Sequence, residues 1–307
     1  MRRKKTLNDQ MPTFLVVGSA KCGTTSLHSY LDLHPEVSMS SPKDPRYFCR
    51  HVEHMVLPVV SDRNSYLRMF APGTLHRGDS STAYSSPGSH PGVPAAISRE
   101  IEHPKFVFLV RDPIDRLVAS VQQMGTTPIP SRRREYADAE ATGSDTLRIL
   151  AGNLESPGNW HVDAGRYMTQ INRFLEHFPK DSILVIDSEN LRFRREETVN
   201  RVFEFLDLAP LDSPEKLAFE INTASERIRD ADLYLTLARS PALRRILNLV
   251  PRGRRRPWIS HLRNITGTPI TKLALEPEFR LQLEDLYRPE VEALRDFTGE
   301  PFSTWSI

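Results

Sequence analysis

Cysteine is scarce in this chain, and long apolar runs are missing. Only Cys22 and Cys49 occur among 307 residues. Two cysteines are too few for a disulfide-stapled scaffold, so we expect a protein of a reducing compartment. The basic start of the chain is not followed by the apolar stretch of a signal peptide or a membrane anchor. These absences predict a cytoplasmic protein without a transmembrane segment.

Net charge is also small, because 41 Lys and Arg residues stand against 39 Asp and Glu residues. A formal charge of +2 argues against a dedicated nucleic-acid binder. Arginine-rich stretches lie at residues 132–134 and 252–256, without the interleaved aromatic residues typical of nucleic-acid recognition. These stretches either attract an acidic acceptor or a membrane surface, or they are ordinary solvated charge.

Strand and helix patterns alternate along the chain. Short apolar strand patterns occupy residues 14–17, 105–110 and 182–186. Apolar residues recur at helical spacing in five stretches: residues 26–31, a stretch that begins at Ile114, and residues 167–177, 196–206 and 276–298. This order predicts a three-layer α/β fold, with a central, mainly parallel sheet flanked by helices.

The same patterns suggest how the chain is divided. Residues 1–11 form a polar tail, and we expect residues 12–305 to form a single domain. Residues 125–159 are rich in Pro, Gly, Ser and Arg and carry no clear periodicity. A long irregular excursion in a compact domain is usually functional or disordered, so this stretch is a candidate substrate lid.

Residues 18–26, Gly-Ser-Ala-Lys-Cys-Gly-Thr-Thr-Ser, lie where the first strand pattern ends and a helix begins. At such a junction the backbone amides and the helix dipole converge on an anion, although a glycine-rich turn can also serve packing alone. The spacing predicts a P-loop-type fold, but Thr24 stands where the P-loop lysine belongs and the lysine is displaced to Lys21. That displacement argues against an ATP or GTP hydrolase, and no acidic strand end is placed to bind magnesium.

Lys21, followed by Gly-Thr-Thr-Ser-Leu and a helix ending at His34-Pro35, resembles the 5′-phosphosulfate loop of sulfotransferases. These enzymes use 3′-phosphoadenosine-5′-phosphosulfate (PAPS), and the likeness is to their carbohydrate, heparan-type and related bacterial branch. The resemblance implies PAPS as co-substrate, no metal, and Lys21 as the cation that neutralises the departing bisphosphate. The cofactor-binding residues implied in this loop are Lys21, Cys22, Gly23, Thr24, Thr25 and Ser26.

Arg111, in Arg-Asp-Pro directly after the second strand pattern, resembles the start of the family's 3′-phosphate motif. The family's serine falls eight residues later, where this chain has Ala119 followed by Ser120. Either Ser120 binds the phosphate or that hydrogen bond is absent; Arg111 could also be a surface ion pair. The family's late glycine loop corresponds to Thr266, Gly267 and Thr268, although its usual basic residues are missing.

Asp44 lies in residues 41–48, Ser-Pro-Lys-Asp-Pro-Arg-Tyr-Phe, which resemble the Lys-Glu-Pro-x-Phe-Phe segment of glycan sulfotransferases. The glutamate there is the general base, so the resemblance implies Asp44 as base; the alternative is a simple Asp-Pro turn. Residues 78–84 resemble a segment of heparan-type enzymes that contains a lysine. This chain has Ser80 at that position, which points to an acceptor unlike heparan. Alternative bases are His51, His54, His76 and His161.

Together these features predict a PAPS-dependent sulfotransferase. Its acceptor would be a hydroxyl or an amine of a saccharide, a glycolipid or a small metabolite, with no nucleic-acid partner. One alternative is a P-loop kinase acting on a small molecule, which would need magnesium and ATP. The other is a non-catalytic relative that binds PAPS or its product, although both Lys21 and Asp44 are present.

Overall fold

The computed structural model describes residues 11–50, 58–86, 92–124, 154, 159–218, 228–229, 268–269 and 273–307. The chain divides into two compact units. The first comprises Met1–Ser120, Leu150–Phe219 and Glu276–Ile307, and the second comprises Val121–Ile149 and Glu220–Leu275. Almost all of the polar tail and of the candidate lid at 125–159 lies outside the described residues, and the single-domain organisation stays a prediction.

The first unit is built on a five-stranded parallel sheet with the order β2-β3-β1-β4-β5. The strands are β1 Phe14–Gly18, β2 Val37–Met39, β3 His76–Ser80, β4 Lys105–Val110 and β5 Ile183–Asp187. The chain runs to one side of β1 first and then to the other. Such a change of direction opens a crevice at the carboxyl ends of the strands, where ligands bind in α/β proteins.

Nine α-helices are assigned within the described residues. They are α1 Thr24–Leu31, α2 Arg63–Leu67, α3 Val93–Ser98, α4 Pro113–Met124, α5 Trp160–Asp163, α6 Tyr167–Leu175, α7 Ser188–Phe193, α8 Arg195–Phe205 and α9 Pro277–Thr298. Short 3₁₀ helices occupy Tyr47–Cys49, Thr82–Ser85, Lys180–Ser182 and Pro214–Leu217. In the part of the chain that the structure covers, no helix combines the length and apolar character needed to cross a bilayer.

Side chains of the central strands alternate between two cores because successive residues of a strand point to opposite faces. In β4, Phe106 and Phe108 belong to one core, whereas Val107 and Leu109 belong to the other. Helices α3, α6 and α9 cover the first core, and helices α1 and α8 cover the second. Helices therefore flank both faces of the parallel sheet, which confirms the predicted P-loop-type three-layer α/β fold.

The second unit contributes one described pairing, between β6 Ile228–Arg229 and β7 Thr268–Pro269. The two strands are antiparallel, with Arg229 opposite Thr268. The predicted cofactor residues Thr266 and Gly267 lie outside the described residues. The role predicted for Thr268 stays a prediction.

Candidate active site

The predicted site residues of the first unit follow the carboxyl ends of neighbouring strands. Lys21 comes shortly after β1, Asp44 comes after β2, and Arg111 directly follows β4. In a parallel sheet these ends share one edge. The fold therefore brings the loop after β1, the predicted base and the predicted phosphate arginine to the same side of the sheet.

Close packing and main-chain hydrogen bonds fix the loop after β1. Ser19 donates its amide proton to the carbonyl oxygen of Leu109 at 2.7 Å, which ties the loop to the end of β4. A Cβ atom added at Gly18 would lie 2.1 Å from the Ser85 hydroxyl oxygen, so any larger residue would require Ser85 to move. Lys21 has a φ of 75° and Gly23 a φ of 91°, and this left-handed pair turns the chain into α1.

The start of α1 points into this loop without a side-chain cap. Gly23 is the N-cap residue, and its carbonyl oxygen accepts from the amides of Ser26 and Leu27 at 3.0 and 3.1 Å. Thr24 is buried, whereas Thr25 and Ser26 are partly exposed. A helix start with no capping side chain leaves its dipole and amide donors available to an anion, and the anion site expected from the sequence stays a prediction.

The Cys22 side chain faces the protein interior. Its thiol is almost fully buried, and burial raises the pKa of Cys22 to about 11. The Cys22 amide donates to the carbonyl oxygen of Ser19 at 3.3 Å. Because the thiol belongs to the core, an anion bound in the loop would contact the main chain of Cys22 and not its side chain.

Tyr167, at the start of α6, connects the two halves of the predicted cofactor site. Its hydroxyl donates to the carbonyl oxygen of Arg111 at 2.7 Å and accepts from the Arg111 amide at 3.3 Å. The same oxygen lies 3.8 Å from the Cys22 sulfur. Burial raises the pKa of Tyr167 well above its usual value, so the hydroxyl stays a neutral donor. The sequence predicted a helix starting at this residue, but not this bridge.

The Arg111 guanidinium is only partly satisfied by protein groups. One terminal nitrogen lies 3.2 Å from Asp115, in a pair whose side chains are 25% and 40% exposed. Within the described part of the chain, the buried Nε atom of Arg111 has no hydrogen-bond partner. An exposed ion pair is weak, so this forked donor keeps the capacity to bind a phosphate.

Asp112 fixes the backbone next to Arg111. One carboxylate oxygen accepts from the amides of Ile114 and Asp115 at 2.9 and 3.0 Å and caps α4. The other oxygen accepts from the amide and the hydroxyl of Ser306, both at 2.6 Å. The C-terminal segment thus holds the start of α4.

Ser120 has a partner inside the protein. Its hydroxyl lies 3.0 Å from Nδ1 of His161, and both side chains are buried. The carbonyl oxygen of His161 also accepts from the guanidinium of Arg116. Ala119 is buried as well. The phosphate-binding role of Ser120 stays a prediction, and in this structure its hydroxyl is engaged with His161.

Asp44 is reachable and lies between two cations. Its Oδ2 atom is 3.1 Å from the Lys43 ammonium and 3.8 Å from the Arg46 guanidinium, and the Asp44 side chain is 25% exposed. Its Oδ1 atom accepts from the Thr82 amide at 3.2 Å. Lys43 is therefore paired with the predicted base. The Asp44 carboxylate nevertheless stays partly exposed at the carboxyl end of the sheet.

His28, in α1, interacts electrostatically with Lys43 and with the predicted base Asp44. Burial, followed by the positive charge of Lys43, lowers the pKa of His28 to about 4, and Asp44 acts on it in the opposite direction. The imidazole is thus neutral at neutral pH. This histidine was not among the predicted bases, because the charges of Lys43 and Asp44 reach it only through the fold.

In the ranges that the structure describes, no three His, Cys, Asp or Glu side chains gather in a group that could hold a metal ion. The arrangement at the sheet edge is instead a loop of amides and hydroxyls, an arginine and a partly exposed carboxylate. This combination can bind a doubly anionic ligand and accept a proton beside it.

Comparisons with known proteins identify the family of this chain. The family model for the sulfotransferase domain matches residues 11–227. Human bifunctional heparan sulfate N-deacetylase/N-sulfotransferase 2 is 24% identical over 213 residues, which cover 66% of this chain and 22% of that protein. Mouse carbohydrate sulfotransferase 15 is 22% identical over 273 residues, which cover 73% of this chain and 49% of that protein. The chain thus matches less than half the length of these two relatives.

A solved structure shows the same fold. The sulfotransferase from Alicyclobacillus acidocaldarius superposes with a TM-score of 0.63 at 19% identity, covering 97% of this chain and all of that one. The family match spans the loop after β1, the predicted base and the Arg111 motif. The chain therefore belongs to the sulfotransferase domain family.

Proposed function

We propose that this protein transfers a sulfuryl group from PAPS to a hydroxyl or an amine of a saccharide, a glycolipid or a small metabolite. The observation that carries the proposal is the Tyr167 bridge between the loop after β1 and Arg111. PAPS is anionic at both its 5′ and its 3′ positions. Two anion-binding elements joined by one buried hydroxyl suit such a ligand.

The residues present fit this co-substrate. Lys21, the loop amides and the hydroxyls of Thr24, Thr25 and Ser26 would hold the 5′ side, and Arg111 would hold the 3′-phosphate. The Nε atom of Arg111, which has no partner among the described residues, supports this assignment. PAPS would supply the sulfuryl group, and Lys21 would stabilise the charge that develops on the departing bisphosphate. We also propose Ser120, Thr266, Gly267 and Thr268 as cofactor contacts from the family resemblance.

Asp44 would act as the general base. As the acceptor oxygen or nitrogen bonds to sulfur, the bond from sulfur to the bisphosphate oxygen breaks and the acceptor proton passes to Asp44. A carboxylate that is partly exposed at the sheet edge can reach such a proton directly or through one water. No metal is needed in this scheme.

The nature of the acceptor rests on the relatives and on the segment around Asp44. The named relatives act on heparan sulfate and on carbohydrate, which favours a saccharide. Ser80 is buried where heparan-type enzymes carry a lysine, so we expect an acceptor with less negative charge. From the scarcity of cysteine we also infer a cytoplasmic location, and from the low net charge we infer no nucleic-acid partner.

Calorimetric titration tests the co-substrate. The bisphosphate product, 3′-phosphoadenosine-5′-phosphate (PAP), should bind wild-type protein without magnesium, and Lys21→Ala should weaken this binding. Lys216→Ala, which removes an exposed lysine from the Pro214–Leu217 helix, is the control. Preference for ATP with magnesium would overturn the proposal in favour of a kinase.

Transfer of ³⁵S from labelled PAPS to a panel of phenols, glycosides and amino sugars then tests catalysis. Labelled product from a glycoside or an amino sugar would support the proposed acceptor class. Tight PAP binding with no labelled product, and no sulfate released to water, would indicate a non-catalytic relative.

A further inference from the structure

Asp79 is a fully buried carboxylate that receives three hydroxyl protons. Tyr66 and Tyr84 donate to its Oδ2 atom at 2.7 and 2.6 Å, and Ser81 donates to its Oδ1 atom at 2.8 Å. The side chain of Asp79 has no exposed surface. It therefore cannot touch an acceptor, and its role must be exercised through its neighbours.

Two of these hydroxyls also hold residues 41–48, the base segment, which carries the predicted base Asp44. The oxygen of Ser81 accepts from the Arg46 amide at 3.1 Å, and the oxygen of Tyr84 accepts from the Phe48 amide at 3.5 Å. A hydroxyl has one proton to donate and two lone pairs that accept. Because both protons are given to Asp79, the lone pairs are left to face the amides of the base segment.

The base segment needs such support because its backbone is strained. Asp44 has a φ of 61° and Arg46 a φ of 54°, in the left-handed region that non-glycine residues rarely adopt. Strained residues persist only where the surrounding structure fixes them. Two hydrogen bonds with the residues after Asp79 help: the Asp44 amide donates to the Ser80 carbonyl oxygen at 3.0 Å, and the Thr82 amide donates to the Asp44 carboxylate at 3.2 Å.

We propose that Asp79 is a positioning residue for Asp44, acting through the Ser81 hydroxyl that it orients toward the Arg46 amide. The proposal rests on the proposed function in that Asp44 is taken as the base. A carboxylate is suited to this task because it only accepts, so every hydroxyl around it must donate inward. An uncharged amide in its place would itself donate, and at least one hydroxyl would have to turn its proton elsewhere.

Ser81→Ala and Tyr66→Phe form a matched pair of variants. Each removes one hydroxyl that donates to Asp79, but among the described residues the Tyr66 hydroxyl makes no hydrogen bond to the base segment. The phenylalanine ring can keep the stacking of Tyr66 on Tyr47, whose ring centroids are 4.2 Å apart. A loss of general core stability should affect both variants alike. A loss of positioning should affect Ser81→Ala alone.

Hydrogen exchange of full-length protein gives a readout that needs no acceptor. In Ser81→Ala we expect faster amide exchange in a peptide covering residues 43–49, with unchanged exchange in residues 24–31. Tyr66→Phe should leave both peptides unchanged. Equal acceleration in the two variants, or none in Ser81→Ala, would overturn the positioning role.

Catalysis gives the second readout, measured as release of [³⁵S]sulfate from PAPS to water. Ser81→Ala should lower this rate by roughly 10- to 100-fold, because a small misplacement of a catalytic group is costly, while calorimetric affinity for PAP stays unchanged. An unchanged rate, or an equal loss in Tyr66→Phe, would refute the proposal. If wild type releases no sulfate and transfers none to the acceptor panel, the proposed function fails instead, and hydrogen exchange still decides the positioning.

Discussion

The hydroxyl of Tyr167 holds both main-chain polar groups of Arg111. It donates to the carbonyl oxygen at 2.7 Å and accepts from the amide at 3.3 Å. Because the same oxygen lies 3.8 Å from the Cys22 sulfur, it also reaches the loop after β1. The end of β4 and the loop are thus held in a fixed relation before any ligand binds, which lowers the ordering cost of binding.

Tyr167→Phe should therefore weaken PAP binding. Loss of a buried hydroxyl that serves one main-chain residue costs about 1 kcal/mol, which is about fivefold in affinity. Calorimetric titration of PAP measures this change. Tyr287→Phe is the matched control, since its buried hydroxyl donates to Val162 at 2.9 Å. Equal affinities of wild type and Tyr167→Phe would contradict the bridging role.

Lys21→Met should reduce sulfuryl transfer far more than it reduces PAP affinity. Removal of a group that stabilises developing charge lowers turnover by about 10²- to 10³-fold. Methionine keeps much of the side-chain length without the charge. The rate at which ³⁵S leaves labelled PAPS at saturating concentration checks the prediction, and Lys216→Met is the control. Near-normal turnover would remove Lys21 from the catalytic residues.

Asp44→Asn should lower turnover by roughly 10²- to 10⁴-fold, the usual contribution of a general base. Its affinity for PAP should stay close to that of wild type, because the proposed phosphate contacts lie on other loops. Asp44→Glu restores the carboxylate at the length that the family uses and should recover part of the rate. An Asn variant as active as wild type would show that another group takes the proton.

The Asp79 carboxylate should make stability depend on pH. Burial raises the pKa of Asp79 from 3.8 to about 6, against the lowering effect of its hydroxyl donors. Between these values the folded protein binds the proton more tightly than the unfolded chain does. The free energy of unfolding should therefore fall as pH rises through this window, by roughly 3 kcal/mol from this group.

Urea unfolding of wild type and Asp79→Asn at several pH values between about 4 and 7 isolates this effect. Other carboxylates contribute to both proteins, so the difference between the two curves reports on Asp79. We expect Asp79→Asn to gain stability relative to wild type as pH rises. Parallel curves would show that Asp79 titrates normally.

Apolar periodicity located the buried strands well. The strand predicted at residues 105–110 coincides with β4, and the predicted helix at 276–298 matches α9 within one residue. These elements are long or continuously apolar, and burial on both sheet faces makes such runs conspicuous in the sequence. The glycine loop was likewise located because its residues serve backbone geometry that few other residues allow.

Strand β3 escaped prediction because its residues are polar. Arg77 and Asp79 are 1% and 0% exposed, although both are charged residues. Their burial comes from the position of β3 between β2 and β1 in the sheet, and not from an apolar pattern in the sequence. Local patterns do not contain this information, so the support of Asp44 by Ser81 could only be found in the structure.

Burial of both cysteines has a practical consequence for labelling. Cys22 and Cys49 are 1% and 0% exposed, and burial raises their pKa values to about 11 and about 12. Thiolates are the reactive species, so both native thiols should resist maleimides in the folded protein. A single cysteine introduced on the surface can then carry a fluorophore or a spin label in the otherwise unaltered chain, which makes ligand-induced movement near the sheet edge open to spectroscopy.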